Sequence, residues 1–218
     1  MQQEFWLERW QQKQIGFHSD AINPHLQQVW PTLNIVPGSR VFVPLCGKSN
    51  DMLYLLAQGY NVIGVELSPL AVQAFFAENG LSATTHQQRN FSISETDGLR
   101  IYCGDFFDLS ASELDGVHAV YDRASLVALP PEMRRTYAAH MQQLLKPGTA
   151  SLLVAFDYPQ QEMQGPPFSV QTDEVLALYR NWCAVELLYT EDILDREPRF
   201  RNQGVSRLQE QIYVLNVV

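Results

Sequence analysis

A single acidic residue at the end of an apolar run is the first feature with chemical promise. Glu66 follows Val62-Ile63-Gly64-Val65 and stands 19 positions after Gly47. If the run is a strand beside the one that ends near Gly47, its carboxylate can accept hydrogen bonds from both hydroxyls of a ribose. Bonds to a charged acceptor contribute about 1.5–3 kcal/mol each. Gly47 lies in Pro44-Leu45-Cys46-Gly47-Lys48-Ser49, a strand-to-helix turn. Such a turn presents unpaired backbone N–H groups, and glycine lets a ligand approach them. Further on, Cys103-Gly104-Asp105-Phe106-Phe107-Asp108 follows an apolar run. Asp105 could accept from an adenine amino group while Phe106 packs on the ring face. Arg123, in Tyr121-Asp122-Arg123-Ala124-Ser125, ends another such run and could bind a carboxylate. Each also has an ordinary structural reading: a turn that needs one glycine, a solvated carboxylate, an Asp-rich turn over core aromatics, a surface ion-pair arginine.

Two phosphate-binding motifs compete for the Gly47 turn, and neither is complete. Gly47-Lys48-Ser49 fits the end of GxxxxGK[ST], but Phe42 occupies the position of the first glycine. The phosphate cradle depends on the whole loop. A dinucleotide fingerprint needs three glycines as GxGxxG, and only Gly47 is present. One glycine plus an acid on the second strand suits a nucleoside cofactor without a pyrophosphate better than NAD.

The elements that must position these residues alternate. The first 30 residues read as helical, with Phe5, Trp6, Ile15 and Phe17 interrupting polar sequence and Asn23-Pro24 opening a second helix. Strand-like runs at 40–45, 61–67, 91–94, 99–103, 117–121 and 150–156 are interleaved with helical ones at 50–58, 69–79 and 131–145. Gly59 and Ser68-Pro69 punctuate helix ends, and Thr96-Asp97-Gly98 marks a hairpin. After a helix at 172–180, the runs 185–189 and 211–218 read as two strands with no helix between them, paired antiparallel. The expected fold is α/β: a doubly wound, mostly parallel sheet with an antiparallel C-terminal edge strand. One domain over 1–218 is expected, with an N-terminal helical cap over about 1–30.

Composition narrows the function. The chain has 218 residues, 46% hydrophobic and 18% charged, which excludes a disordered or fibrous protein. Its formal net charge of -9 argues against nonspecific nucleic-acid binding, because a polyanion is repelled. Cys46, Cys103 and Cys183 are odd in number and scattered, so neither a zinc site nor a disulfide framework is indicated. No metal is expected. No signal peptide or membrane span is read from the sequence, and a soluble cytoplasmic monomer is the expectation.

The chain resembles the bacterial thiopurine S-methyltransferase family over nearly its whole length. The resemblance rests on Phe5-Trp6-Leu7-Glu8-Arg9-Trp10, on Gly16-Phe17-His18, and above all on Pro44-Leu45-Cys46-Gly47-Lys48-Ser49, which replaces the glycine-rich loop of most methyltransferases. It continues in Gly64-Val65-Glu66-Leu67-Ser68, Tyr121-Asp122-Arg123-Ala124 and Gly165-Pro166-Pro167-Phe168. It implies a seven-stranded, Rossmann-like methyltransferase sheet and S-adenosylmethionine as methyl donor, with S-adenosylhomocysteine as product. Leu45, Glu66 and Arg123 would contact the cofactor, Trp10 would close over it, and Asp105 and Phe106 would lie along the adenine. Phe17 matches an aromatic at the acceptor pocket. Arg199 falls in the stretch that faces the substrate, with Arg196 and Arg201 as neighbouring alternatives. The stretches around 157–168 and 195–204 would line the pocket. The acceptor would be a small-molecule thiol or selenol, and the role detoxification. No catalytic residue and no general base is assigned. An NAD-dependent oxidoreductase and a non-catalytic nucleoside-binding protein on the same fold stay open beside this reading.

Overall fold

Apolar runs bounded by glycine and proline become strands and helices at nearly every position the sequence marks. The computed structural model describes residues 3–218, so the first two residues of the expected cap lie outside the described residues. The chain divides into two units, one ending at Tyr121 and one running from Asp122 to Val218.

In the first unit, helix α1 (Gln3–Gln11) is followed by a non-helical stretch and then α2 (Pro24–Val29). Asn23 caps α2 by accepting from the His25 and Leu26 N–H groups at 2.9 and 3.2 Å. The helical expectation for the first 30 residues therefore holds only in two pieces. Ile15 and Phe17 sit in the turn between them, after Lys13 takes a left-handed φ of 55° that ends the helical path.

The rest of this unit runs β1 (Arg40–Val43), α3 (Asp51–Ala57), β2 (Asn61–Glu66), α4 (Pro69–Glu78), β3 (Thr84–Gln88), β4 (Phe91–Thr96), β5 (Leu99–Cys103) and β6 (Val117–Arg123), the last crossing the unit boundary. The strands lie in the order β3-β4-β5-β2-β1-β6. β1 pairs parallel with both β2 and β6, and β2 pairs parallel with β5. β3, β4 and β5 form an antiparallel meander. Val41, Phe42, Val43, Val62, Ile63 and Val65 are all buried, as expected for parallel strands covered on both faces. Gly64 interrupts this run because a Cβ there would meet Cys46 Sγ at 2.8 Å. The missing side chain lets the turn after β1 lie directly against β2.

The second unit contains α5 (Pro131–Leu144), β7 (Ala150–Asp157), α6 (Thr172–Tyr179), β8 (Cys183–Asp192), α7 (Pro198–Asn202) and β9 (Gln209–Val217). β9 pairs antiparallel with β7 on one side and with β8 on the other. Two sequence expectations change here. The C-terminal strand is flanked on both sides and β8 takes the outer place, because β9 is buried over Gln211–Leu215 and apolar from Ile212 on, whereas β8 is largely exposed. A short helix, α7, does lie between the two strands, started by Pro198 at its first position.

Nine strands are described, against the seven that the resemblance implies. β3 and β4 extend the sheet beyond β5.

Candidate functional site

The sequence of strand order reverses beside β1: the chain moves outward from β1 to β2, and later returns to place β6 on the opposite flank. Ligands of such sheets bind outside the carboxyl ends of the strands at this reversal. Glu66 is the last residue of β2 and is 7% exposed. Its Oε2 accepts from the Gly47 N–H at 2.9 Å and its Oε1 from the Ser68 N–H at 2.7 Å. Each oxygen keeps a lone pair for a further donor. Burial pushes the carboxyl up to about 7, against the opposing pull of the N–H groups of Ser68, Gly47 and Leu67.

The turn that donates to Glu66 is strained. Leu45 has φ 45° and Gly47 φ 54°, with Cys46 between them donating its N–H to Val65 O at 2.9 Å. Glycine takes this conformation freely, but a leucine held there costs of the order of 1–3 kcal/mol. Such strain concentrates at ligand-binding positions.

Helix α1 crosses these strand ends. At one end Gln3 Nε2 donates to Asp105 Oδ2, in the turn after β5. At the other, the ring of Trp10 stands 3.5 Å from where a Cβ of Gly47 would be. Seven residues of helix rise about 10 Å, close to the roughly 9.6 Å that two strand spacings occupy from β5 through β2 to β1. The helix is therefore the right length to span from one turn to the other, with Glu66 in the middle strand. Trp10 is 8% exposed and meets Phe17 edge to face, ring centres 5.7 Å apart. Trp6 meets the same Phe17 at 5.6 Å.

The structure thus brings Trp10, Leu45, Gly47, Glu66 and Asp105 to one edge of the first unit, with Phe17 against Trp10. Two of the side chains named by the sequence reading also make contacts within the chain. Asp105 caps the 3-10 turn Phe106–Asp108, its Oδ1 accepting from the Phe107 N–H at 2.9 Å while its Oδ2 accepts from Gln3 Nε2. Phe106 is 3% exposed and meets Phe107 edge to face. Its ring belongs to the core, where burial of apolar area favours it. Gly104, just before, must be glycine because a Cβ would meet the Phe91 ring at 2.7 Å.

In the second unit Arg123 is the half-buried last residue of β6. Asp122 before it is buried, accepts from Tyr137 O–H at 2.7 Å, and is pushed up to about 6 by that burial. Arg199 lies in α7, half-buried, with its guanidinium 5.1 Å over the ring of Phe200. Arg196 pairs with Glu191 at 2.7 Å and Arg201 with Asp195, and both are exposed.

Other groups near these residues have partners that sequence reasoning did not assign. Lys48 binds both oxygens of Glu78, at 2.8 and 2.6 Å, so its charge is held by a carboxylate. His18, beside Phe17, is shifted below its ordinary value, first by burial and then by Lys48. All three cysteines are free, and burial raises each thiol, Cys103 to about 11 and Cys183 to about 12. They stay protonated and make poor nucleophiles. Only contact distances, not spacing in the sequence, reveal these pairings.

Comparison with known proteins adds an independent line. Residues 1–217 match the family model described as thiopurine S-methyltransferase. The chain is 55% identical over 215 residues to the thiopurine S-methyltransferase of Nitrosospira multiformis, covering 99% of this chain and 98% of that one. It is 47% identical over 213 residues to that of Pseudomonas fluorescens, covering 98% of each. Among solved structures, a SAM-dependent methyltransferase from Anabaena variabilis superposes with a TM-score of 0.68 at 13% identity, over 99% of this chain and 95% of the other. That likeness concerns the fold alone.

Proposed function

The chain belongs to the thiopurine S-methyltransferase family, and we propose that it methylates the sulfur of thiopurines and related aromatic or heterocyclic thiols. The observation that carries the reading is the buried Glu66 carboxylate, held by the Gly47 and Ser68 N–H groups beside the ring of Trp10.

The donor set suits S-adenosylmethionine. When bound, the cofactor supplies a methyl carbon already activated by its sulfonium. The chain's own work is to bind, orient and exclude water. Glu66 would take the ribose hydroxyls with the lone pairs that Gly47 and Ser68 leave unused. The strained backbone around Leu45 approaches the nucleoside, and Trp10 covers it. Aromatic faces also favour a cationic centre. The 104–106 backbone would hold the adenine, and Arg123 would take the carboxylate of the amino-acid end. Phe17 and Arg199 serve the acceptor, the arginine by favouring its thiolate over its thiol. No strong base is required for so acidic a sulfur. Selenium and tellurium compounds are further candidate acceptors.

The test is transfer of an isotopically labelled methyl group from S-adenosylmethionine to a thiopurine, read by mass spectrometry of the S-methyl product. Labelled product is expected, with no change in NADH fluorescence when the protein is added. Cofactor binding without product from any thiol or selenol would instead indicate a non-catalytic nucleoside-binding protein.

A further inference from the structure

The second unit buries an arginine that the proposed reaction does not touch. Arg134, in the first turn of α5, is 1% exposed. Taking a guanidinium out of water costs several kcal/mol unless its partners compensate, and an apolar side chain could fill the same space. What the apolar side chain could not do is hold several segments at fixed angles.

Arg134 reaches three of them. Its Nε donates to Leu129 O at 2.7 Å, in the stretch that follows β6 and its last residue Arg123. Its Nη1 donates to Glu174 Oε2 at 2.6 Å, on α6. Its guanidinium stands 5.7 Å from the ring centre of Phe168, in the Gly165-Pro166-Pro167-Phe168 stretch after β7. The two stretches are also joined directly, since the Phe168 N–H donates to Val127 O at 2.6 Å. Tyr158 O–H holds Pro167 O at 2.7 Å from the other side. Gly165 leaves room for this packing, as a Cβ there would meet the Phe168 ring at 2.5 Å. Nη2 of Arg134 is buried with no partner.

The geometry points to Arg134 as a positioning residue for the methyl acceptor: it pins the 166–168 backbone against the 126–129 stretch and so sets how the acceptor is received. This rests on the reading that the stretch around 157–168 lines the acceptor pocket.

Two measurements on Arg134→Lys, with Phe168→Leu as the milder companion should the first not fold, test the inference. The first is hydrogen exchange at the Phe168 amide, which needs no activity; its neighbours Pro166 and Pro167 carry no amide hydrogen. Exchange about tenfold faster is expected, as for local opening of a released segment. The second is steady-state kinetics. The acceptor KM should rise about fivefold or more while kcat and the affinity for S-adenosylhomocysteine stay within about twofold, the pattern of lost ground-state positioning. Unchanged exchange in a folded variant overturns the inference. So does a KM that moves only together with cofactor-product affinity, which would make Arg134 a general stabiliser. A wild-type protein that methylates no thiol defeats the functional reading itself, and with it the acceptor role, even if exchange shows that the pin exists.

Discussion

At the scale of the residue, the site turns on one ionisable group in an unusual environment. Glu66 is pushed up to about 7 by burial, so the folded protein favours its protonated form over a window from the ordinary 4.5 upward. Its contribution to stability is therefore lost as pH rises through about 4.5 to 7. Ribose hydroxyls, in contrast, donate more strongly to the charged form. Binding should release a proton, and affinity for S-adenosylhomocysteine should be about tenfold weaker at about pH 6 than at about pH 8. Cys46 and Cys103, the thiols whose electrostatics couple to Glu66, are raised and stay neutral across that window. Titration calorimetry at the two pH values, in buffers of different ionisation enthalpy, checks both the affinity and the proton. The place of Glu66 at the end of β2 was legible in the sequence because Val62-Ile63-Gly64-Val65 reads as an apolar strand. The lodging of Phe106 in the core was not, since an aromatic after a glycine turn reads equally well as rim or interior.

At the scale of the element, the N-terminal region is fastened to the sheet by a few polar contacts. Asp51, buried in the first turn of α3, accepts from the Asn23 N–H at 2.8 Å and from Tyr121 O–H at 3.0 Å. Asp51→Ala removes an acceptor from two groups that stay buried, and should lower stability by about 2–4 kcal/mol in denaturant unfolding. A loss below about 0.5 kcal/mol would mean that those groups find other partners easily. Elements with strong apolar runs and clear caps were readable from sequence: β1, β2, β5, β6, α4 and α5. The missed ones lack such signals. β3, Thr84-Thr85-His86-Gln87-Gln88, is exposed throughout and exists because β4 offers it a ladder of backbone partners. α7 has five residues, too few for a helical period to show. The placing of β9 inside β8 follows from relative burial, which spacing alone does not rank.

At the scale of the whole molecule, family membership and the physical reading of the residues meet at one chemistry. Among the described residues no helix is long and apolar enough to cross a membrane. A formal net charge of -9 favours repulsion between copies, and the large exposed apolar side chains among the described residues are Val36, Leu70, Leu187 and Val218. Sedimentation should show a monomer over a wide concentration range; a dimer that persists on dilution would redirect attention to the exposed strand β3 or β8. The claim beneath all of this is that a nucleoside is gripped by the carboxylate ending β2. Calorimetric titration of S-adenosylhomocysteine into the wild-type protein and into Glu66→Ala measures it directly. The wild type should bind and the variant should bind at least about tenfold more weakly, the loss of one or two charge-assisted hydrogen bonds. Equal affinity in a folded variant, or no binding to the wild type, would contradict it.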